Sequence, residues 1–247
     1  MKKIILICGV IIFFTIGELF PQNKYDSHLA SESCIAIEPL MSHNLDVIKV
    51  LYQNLRESPV LYMLTKPSFE PEWMAGAFTI DSKYYLFSAE AEFNIWYYKM
   101  GTRITRPDNL KSINKDTNTT KTADTKEQSI KEGVTPSISD IKSYYKEVEI
   151  SKELYLLIKN TWKAILINAK PTSGILGADG VMYHFRLLEK TNVTMGGVTW
   201  SPRKNSNNGL SVKLGYLLYD YAIGGNKQAA IEKEIRILCK DLLKRCR

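Results

Sequence analysis

Glu90 and Glu92 are the side chains most readily put to chemical use, because two carboxylates two residues apart on a strand share one face. At ~3.3 Å per residue they would stand roughly 7 Å apart, a spacing that suits glycoside hydrolysis by an acid and its partner carboxylate. His184, beside Arg186 in an extended run, is the best placed of the three histidines. His28 lies in the lead-in, and His43 sits at a helix start beside Ser42. His184 could act as base to a Cys34 nucleophile, although a disulfide competes for that sulfur. Against these candidates stands the plainer fact that neighbouring acids on a strand face are ordinary surface. No GxSxG, Walker loop, dinucleotide-binding glycine pattern or HExxH accompanies them. No CxxC or HxxxH spacing supports a metal site, and no cofactor is expected.

Binding has better material than catalysis. Phe93 to Tyr98 is an aromatic cluster in which Trp96 and Tyr98 fall on the face opposite the expected core. An exposed Trp/Tyr pair on a strand fits a protein partner or a glycan. His184 and Arg186 share the polar face of a second strand, and Trp200 is either a core-anchoring indole at a strand end or a ligand-facing one.

Positioning these residues requires strands and helices of definite period. Ser42 to Glu57 reads as an amphipathic helix with Leu45, Ile48, Leu51, Tyr52 and Leu55 on one stripe, ended by Ser58-Pro59. Met74–Ile80 and Lys83–Tyr98 flank Asp81-Ser82 as a tight hairpin. In its second arm Tyr85, Phe87, Ala89, Ala91, Phe93, Ile95 and Tyr97 alternate with polar residues, which places one face on a core and the other in water. That arm is long for one strand, so a bulge or bend is expected within it. Residues 101–145 are expected to form a disordered polar loop or linker, and Asn114 to Lys126 has no apolar period at all. Ser151 caps a helix running to Ala169 with Leu154, Ile158, Trp162 and Ile165 inward. Val181–Glu189 and Met195–Trp200 make a second hairpin around Asn192. A helix from Gly209 to Ala222 follows, closed by Gly224-Gly225, and Asn226 caps a last one burying Ile231, Ile235, Leu238 and Leu242. The fold class is α+β: an antiparallel sheet built from two hairpins and packed against amphipathic helices. It divides into a leader at 1–20, a helix-and-hairpin half at 21–100, the linker, and a helix–hairpin–helix–helix half at 146–247, read together as one composite domain.

The run Gly177-Ala178-Asp179-Gly180-Val181-Met182-Tyr183-His184-Phe185, then Gly197-Val198-Thr199-Trp200-Ser201-Pro202 and the following helix, resembles a loose group of uncharacterised exported bacterial proteins. They carry a DGxxYxF strand and a GxTWSP segment between two helices. The resemblance implies an envelope or secreted setting and no activity. Physically, Asp179-Gly180 is turn chemistry ahead of a strand, and Pro202 stops pairing after Trp200.

Met1-Lys2-Lys3 followed by the apolar run Ile4 to Ile16 has the form of a secretory signal peptide, cut between Gly17 and Asn23. The run is shorter than the ~20 residues that cross a bilayer, so the expected address is periplasmic or extracellular, with anchoring in the inner membrane by residues 4–20 the alternative. Cys239 and Cys246 on one helix would lie ~10 Å apart at ~1.5 Å per residue, beyond the ~7 Å reach of a bridge. Geometry therefore favours a disulfide from Cys34 to one of them, Cys239 before Cys246, with three unpaired thiols as the alternative. The net charge of +7 falls by one when Lys2, Lys3 and Glu18 leave. Its Lys and Arg are scattered among acids, which argues against nucleic acid and leaves a solvated surface with weak attraction to anionic envelope surfaces. The expectation is a non-enzymatic module that binds another envelope or extracellular protein, of inhibitor or immunity type in one version. A hydrolase acting on cell-wall or glycan material is the rival.

Overall fold

Val60 to Leu64 is apolar at every position and bounded by Pro59 and Pro67, the signature of a strand buried on both faces. In the computed structural model, which describes residues 28–31, 38–100, 102–105, 126–129, 137–171, 180–190 and 193–247, this run is the central strand β2 (Leu61–Pro67). The other strands of the sheet are β1 (Ala30–Ser31), β3 (Trp73–Ile80), β4 (Lys83–Ala91), β7 (Ser143–Ile150), β8 (Val181–Lys190) and β9 (Val193–Trp200). Their spatial order is β1-β9-β8-β2-β3-β4-β7, every neighbour antiparallel. The α+β class holds, and both expected hairpins form. Pairing of β2 with β8, from Leu61↔Leu187 to Pro67↔Val181, fuses the two halves into one sheet. Within 101–145, β5 (Thr102–Thr105) pairs with β6 (Lys126–Ser129), Ile141 is buried, and β7 begins.

Helices cover both faces of the sheet. On one side lie α3 (Lys152–Ile167), α4 (Asn207–Ile223) and α5 (Gln228–Arg245), over Leu61, Met63, Trp73, Leu86, Phe185 and Leu187. On the other lie α1 (Glu38–Leu51) and the short α2 (Ile95–Lys99), over Tyr62, Leu64, Met74, Phe78 and Phe87. Each large side chain so enclosed contributes about 1.5–3 kcal/mol. α5 packs chiefly on α3 and α4, forming an outer storey above them.

Local chemistry sets most boundaries. Ser151 accepts from Leu154 N at 3.2 Å, and Ser206 from Gly209 N at 3.0 Å, each capping its helix. Gly224, at φ 83°, closes α4 as only a residue without Cβ does easily. Lys227, not Asn226, occupies the N-cap of α5 and makes no side-chain cap bond. The apolar stripe of α1 is turned from the expected one: His43, Val47, Val50 and Leu51 are buried, whereas Leu45 is 69% exposed. That buried set keeps the i, i+4, i+7, i+8 period of a helix face.

Two expectations for β4 need correction. The face holding Ser88 and Glu90 is not in water, because α4 lies across it and Ser88 is buried. The strand also ends at Ala91, seven residues early, since Asn94 accepts from Tyr97 N at 3.1 Å and caps α2. The period of two runs on to Tyr97, yet an N-cap and a buried acceptor outweigh it. At the β3–β4 turn Asp81 and Ser82 have φ of 47° and 64°, the twist a two-residue hairpin demands. Ser82→Gly relieves the left-handed strain and is expected to stabilise the fold by about 0.5 kcal/mol, read as a higher urea midpoint at unchanged slope.

Candidate functional site

At the end of the sheet where β2 turns into β3, a buried polar cluster supports an exposed aromatic patch. Glu72, just before β3, is 1% exposed. Its Oε2 accepts from Ile95 N, the first amide of α2, at 2.8 Å, and its Oε1 stands 3.3 Å from His43 Nε2 on α1. The buried carboxylate thus ties two helices and a strand together, in surroundings where a lost partner is costly. His43 is 6% exposed, and its Nδ1 has no hydrogen-bond partner among the described residues. Its ring meets Trp96 edge-on, centroids 5.3 Å apart.

Around Trp96 the surface is held firmly. Asn94, itself buried, donates to Glu70 O at 2.7 Å and fixes the β2–β3 turn under α2. Phe69 of that turn stacks on Tyr97 at 6.1 Å, Lys99 pairs with Asp46 at 2.6 Å, and Lys66 bonds Asn44. Trp96 on α2, Phe69 in the β2–β3 turn, Leu45 on α1 and Met100 at the end of α2 are each exposed.

The candidate catalytic residues are not brought together. Glu90 pairs across the sheet with Trp73, on the α4 side. His184 pairs with Leu64, on the α1 side, and is 5% exposed. The sheet itself separates them. Glu92 lies beyond the strand end, its amide bonded to Lys142 O at 2.8 Å. Glu90 accepts from Tyr219 OH and belongs to a seam that seats α4 on the sheet. Along one cross-strand row run Tyr144, Glu90, Trp73, Thr65, Tyr183 and Thr199. Over it Tyr216 and Tyr219 sit against Trp73, Tyr216 OH lies 3.4 Å from Tyr183 OH, and Asn208 donates to Thr199 Oγ1 at 3.3 Å. The arrangement is a packing register and offers no paired carboxylates.

Of the expected binding residues, Trp96 is exposed, but on a helix. Tyr98 turns inward, 4% exposed against Phe93, which removes it from any contact surface, as burial removes His184. Arg186 is half-buried, and its carbonyl accepts from Trp162 Nε1 at 3.0 Å. Trp200 is half-buried over Gly180, where a Cβ would meet its Nε1 at 2.8 Å. Gly180 is further locked by Ser68, whose hydroxyl donates to its carbonyl at 2.8 Å and accepts from its amide at 3.1 Å. Glu72, Phe69 and the role of His43 escaped the sequence analysis. Asn94 ahead of an aromatic run was a legible cap signal; an isolated glutamate before a strand carries none.

Cys239 and Cys246 are free thiols in the structure, while Cys34, the expected partner of Cys239, and the leader at 1–20 lie outside the described residues. Cys239 serves as a small core side chain facing Thr161, and burial pushes its thiol up to about 11. Because the raised value favours the neutral thiol, alkylation at pH 8 is expected to reach half-buried Cys246 well before Cys239, which reacts only on unfolding. Peptide mapping after a timed iodoacetamide pulse checks this. Among the described residues no group of three or more His, Cys, Asp and Glu is placed to hold a metal, and no helix is long and apolar enough to cross a membrane. No protein-family model, curated protein or solved structure matches the chain.

Proposed function

We propose that this protein is a non-enzymatic interaction module of the bacterial envelope, which binds another envelope or extracellular protein through the surface around α2. The observation that carries this is Trp96: an exposed indole held edge-on by a histidine that a buried carboxylate fixes in turn. An aromatic anchor already set in one geometry loses little side-chain freedom on binding, which is where interface energy concentrates. Exposed Phe69, stacked on neighbouring Tyr97, adds a second aromatic anchor. The hydrolase alternative loses its support with Glu90 and His184 on opposite faces of the sheet.

Trp96→Ala combined with Phe69→Ala is expected to weaken partner binding by about 2 kcal/mol or more, roughly thirtyfold. A photo-crosslinking side chain at Met100, followed by mass spectrometry of the native envelope, reads this as loss of a crosslinked protein. Retention of every crosslinked species in the double variant would count against the surface.

A further inference from the structure

The outward crest of α5 carries a line of lysines that no ion pair among the described residues engages. With 3.6 residues per turn, Lys233, Ile237, Lys240 and Lys244 follow one another along the side opposite buried Ile235, Leu238, Cys239 and Leu242. All four are exposed, Ile237 at 60%. Every carboxylate of the helix is already engaged by another cation: Glu232 with Arg236 at 2.7 Å, Glu234 with Lys213 at 2.6 Å, and Asp241 with Arg245 at 3.0 Å. Those pairs flank the crest, so among the described residues Lys233, Lys240 and Lys244 make no ion pair. Because α5 rides above α3 and α4, the lysines stand outermost on that side of the sheet.

The geometry points to α5 as a docking face for an anionic lipid surface. Charge complementarity selects an anionic occupant. Lysines in a row on a convex helix, with one apolar residue among them, fit a plane of headgroups better than a shaped protein groove. They are flexible point charges rather than the planar forks that match a particular carboxylate. A single isoleucine limits the contact to the headgroup layer, so the attachment is electrostatic and reversible. The Trp96 surface lies on the other side of the sheet, with α1 and α2, and stays open when α5 is down. This inference does not depend on the partner proposed for Trp96.

Cosedimentation of the full chain with two vesicle types tests it: phosphatidylcholine alone, and the same lipid with about a third phosphatidylglycerol. The quantity read is the ratio of partitioning into the two, because the zwitterionic arm reports any insertion by the apolar run Ile4 to Ile16. Each surface lysine is worth roughly fivefold on an anionic membrane. K233Q/K240Q/K244Q is therefore expected to lower the ratio roughly a hundredfold. Raising salt to about 1 M, where screening acts within ~3 Å, should abolish the wild-type preference. The charge-matched K142Q/K146Q/K204Q, also exposed lysines, should keep it, and both variants should melt with the wild type. A ratio near one for the wild type overturns the inference. So does equal loss in both triple variants, or lysine-dependent retention on an acidic protein with no preference for anionic vesicles.

Discussion

Glu72→Ala is expected to destabilise the protein by about 3–5 kcal/mol, the cost of removing one member of a buried carboxylate–imidazole pair. The carboxylate is 1% exposed, accepts from Ile95 N and stands 3.3 Å from His43 Nε2. Deleting it leaves a helix-start amide buried without an acceptor and the His43 ring without its buried neighbour. Glu72→Gln keeps the shape and one acceptor, so its loss should be smaller. A double-mutant cycle with His43→Ala isolates the pair, and additive losses would show that the two residues do not support each other. Since His43 holds the Trp96 ring, the same variants should raise indole mobility in fluorescence anisotropy, and weaken partner binding, before the protein unfolds.

Trp162→Ala should cost a similar amount, about 3–5 kcal/mol. The indole is fully buried, lies 5.4 Å from Phe185 and donates to Arg186 O at 3.0 Å. Alanine would leave a cavity between α3 and the sheet and orphan a backbone carbonyl. Against a total stability of some 5–15 kcal/mol, the loss brings the protein near its threshold. Guanidinium melts provide the measurement, and a loss under about 1 kcal/mol would show that α3 collapses into the gap.

The parts of the fold that were legible in sequence are those where one local signal acts alone. Ser151 with the stripe of α3, and Asp81-Ser82 between two apolar runs, place a helix and a hairpin without reference to distant residues. β2 was missed because a strand buried on both faces shows no alternation. β7 was missed for another reason: it straddles the boundary drawn at residue 145, and Lys146, Glu147 and Glu149 break any apolar period along it. At the site, Trp96 was picked out for the right property by the wrong geometry. Its exposure comes from α2, whose start depends on Glu72, twenty-three residues upstream. No period within a single element encodes such a contact.

The central place of β2 governs how the molecule can be assembled. Leu61 to Pro67 can take β3 at once, but its other edge meets β8 only roughly 120 residues later in the chain, a closure that makes for slow, millisecond-to-second folding. Until then an apolar edge stays open, ready to accept a strand from a neighbouring chain. Nascent or newly released molecules are thus sticky for a definite interval, and a chaperone that shields residues 60–67 would raise refolding yield without altering the stability of the finished protein.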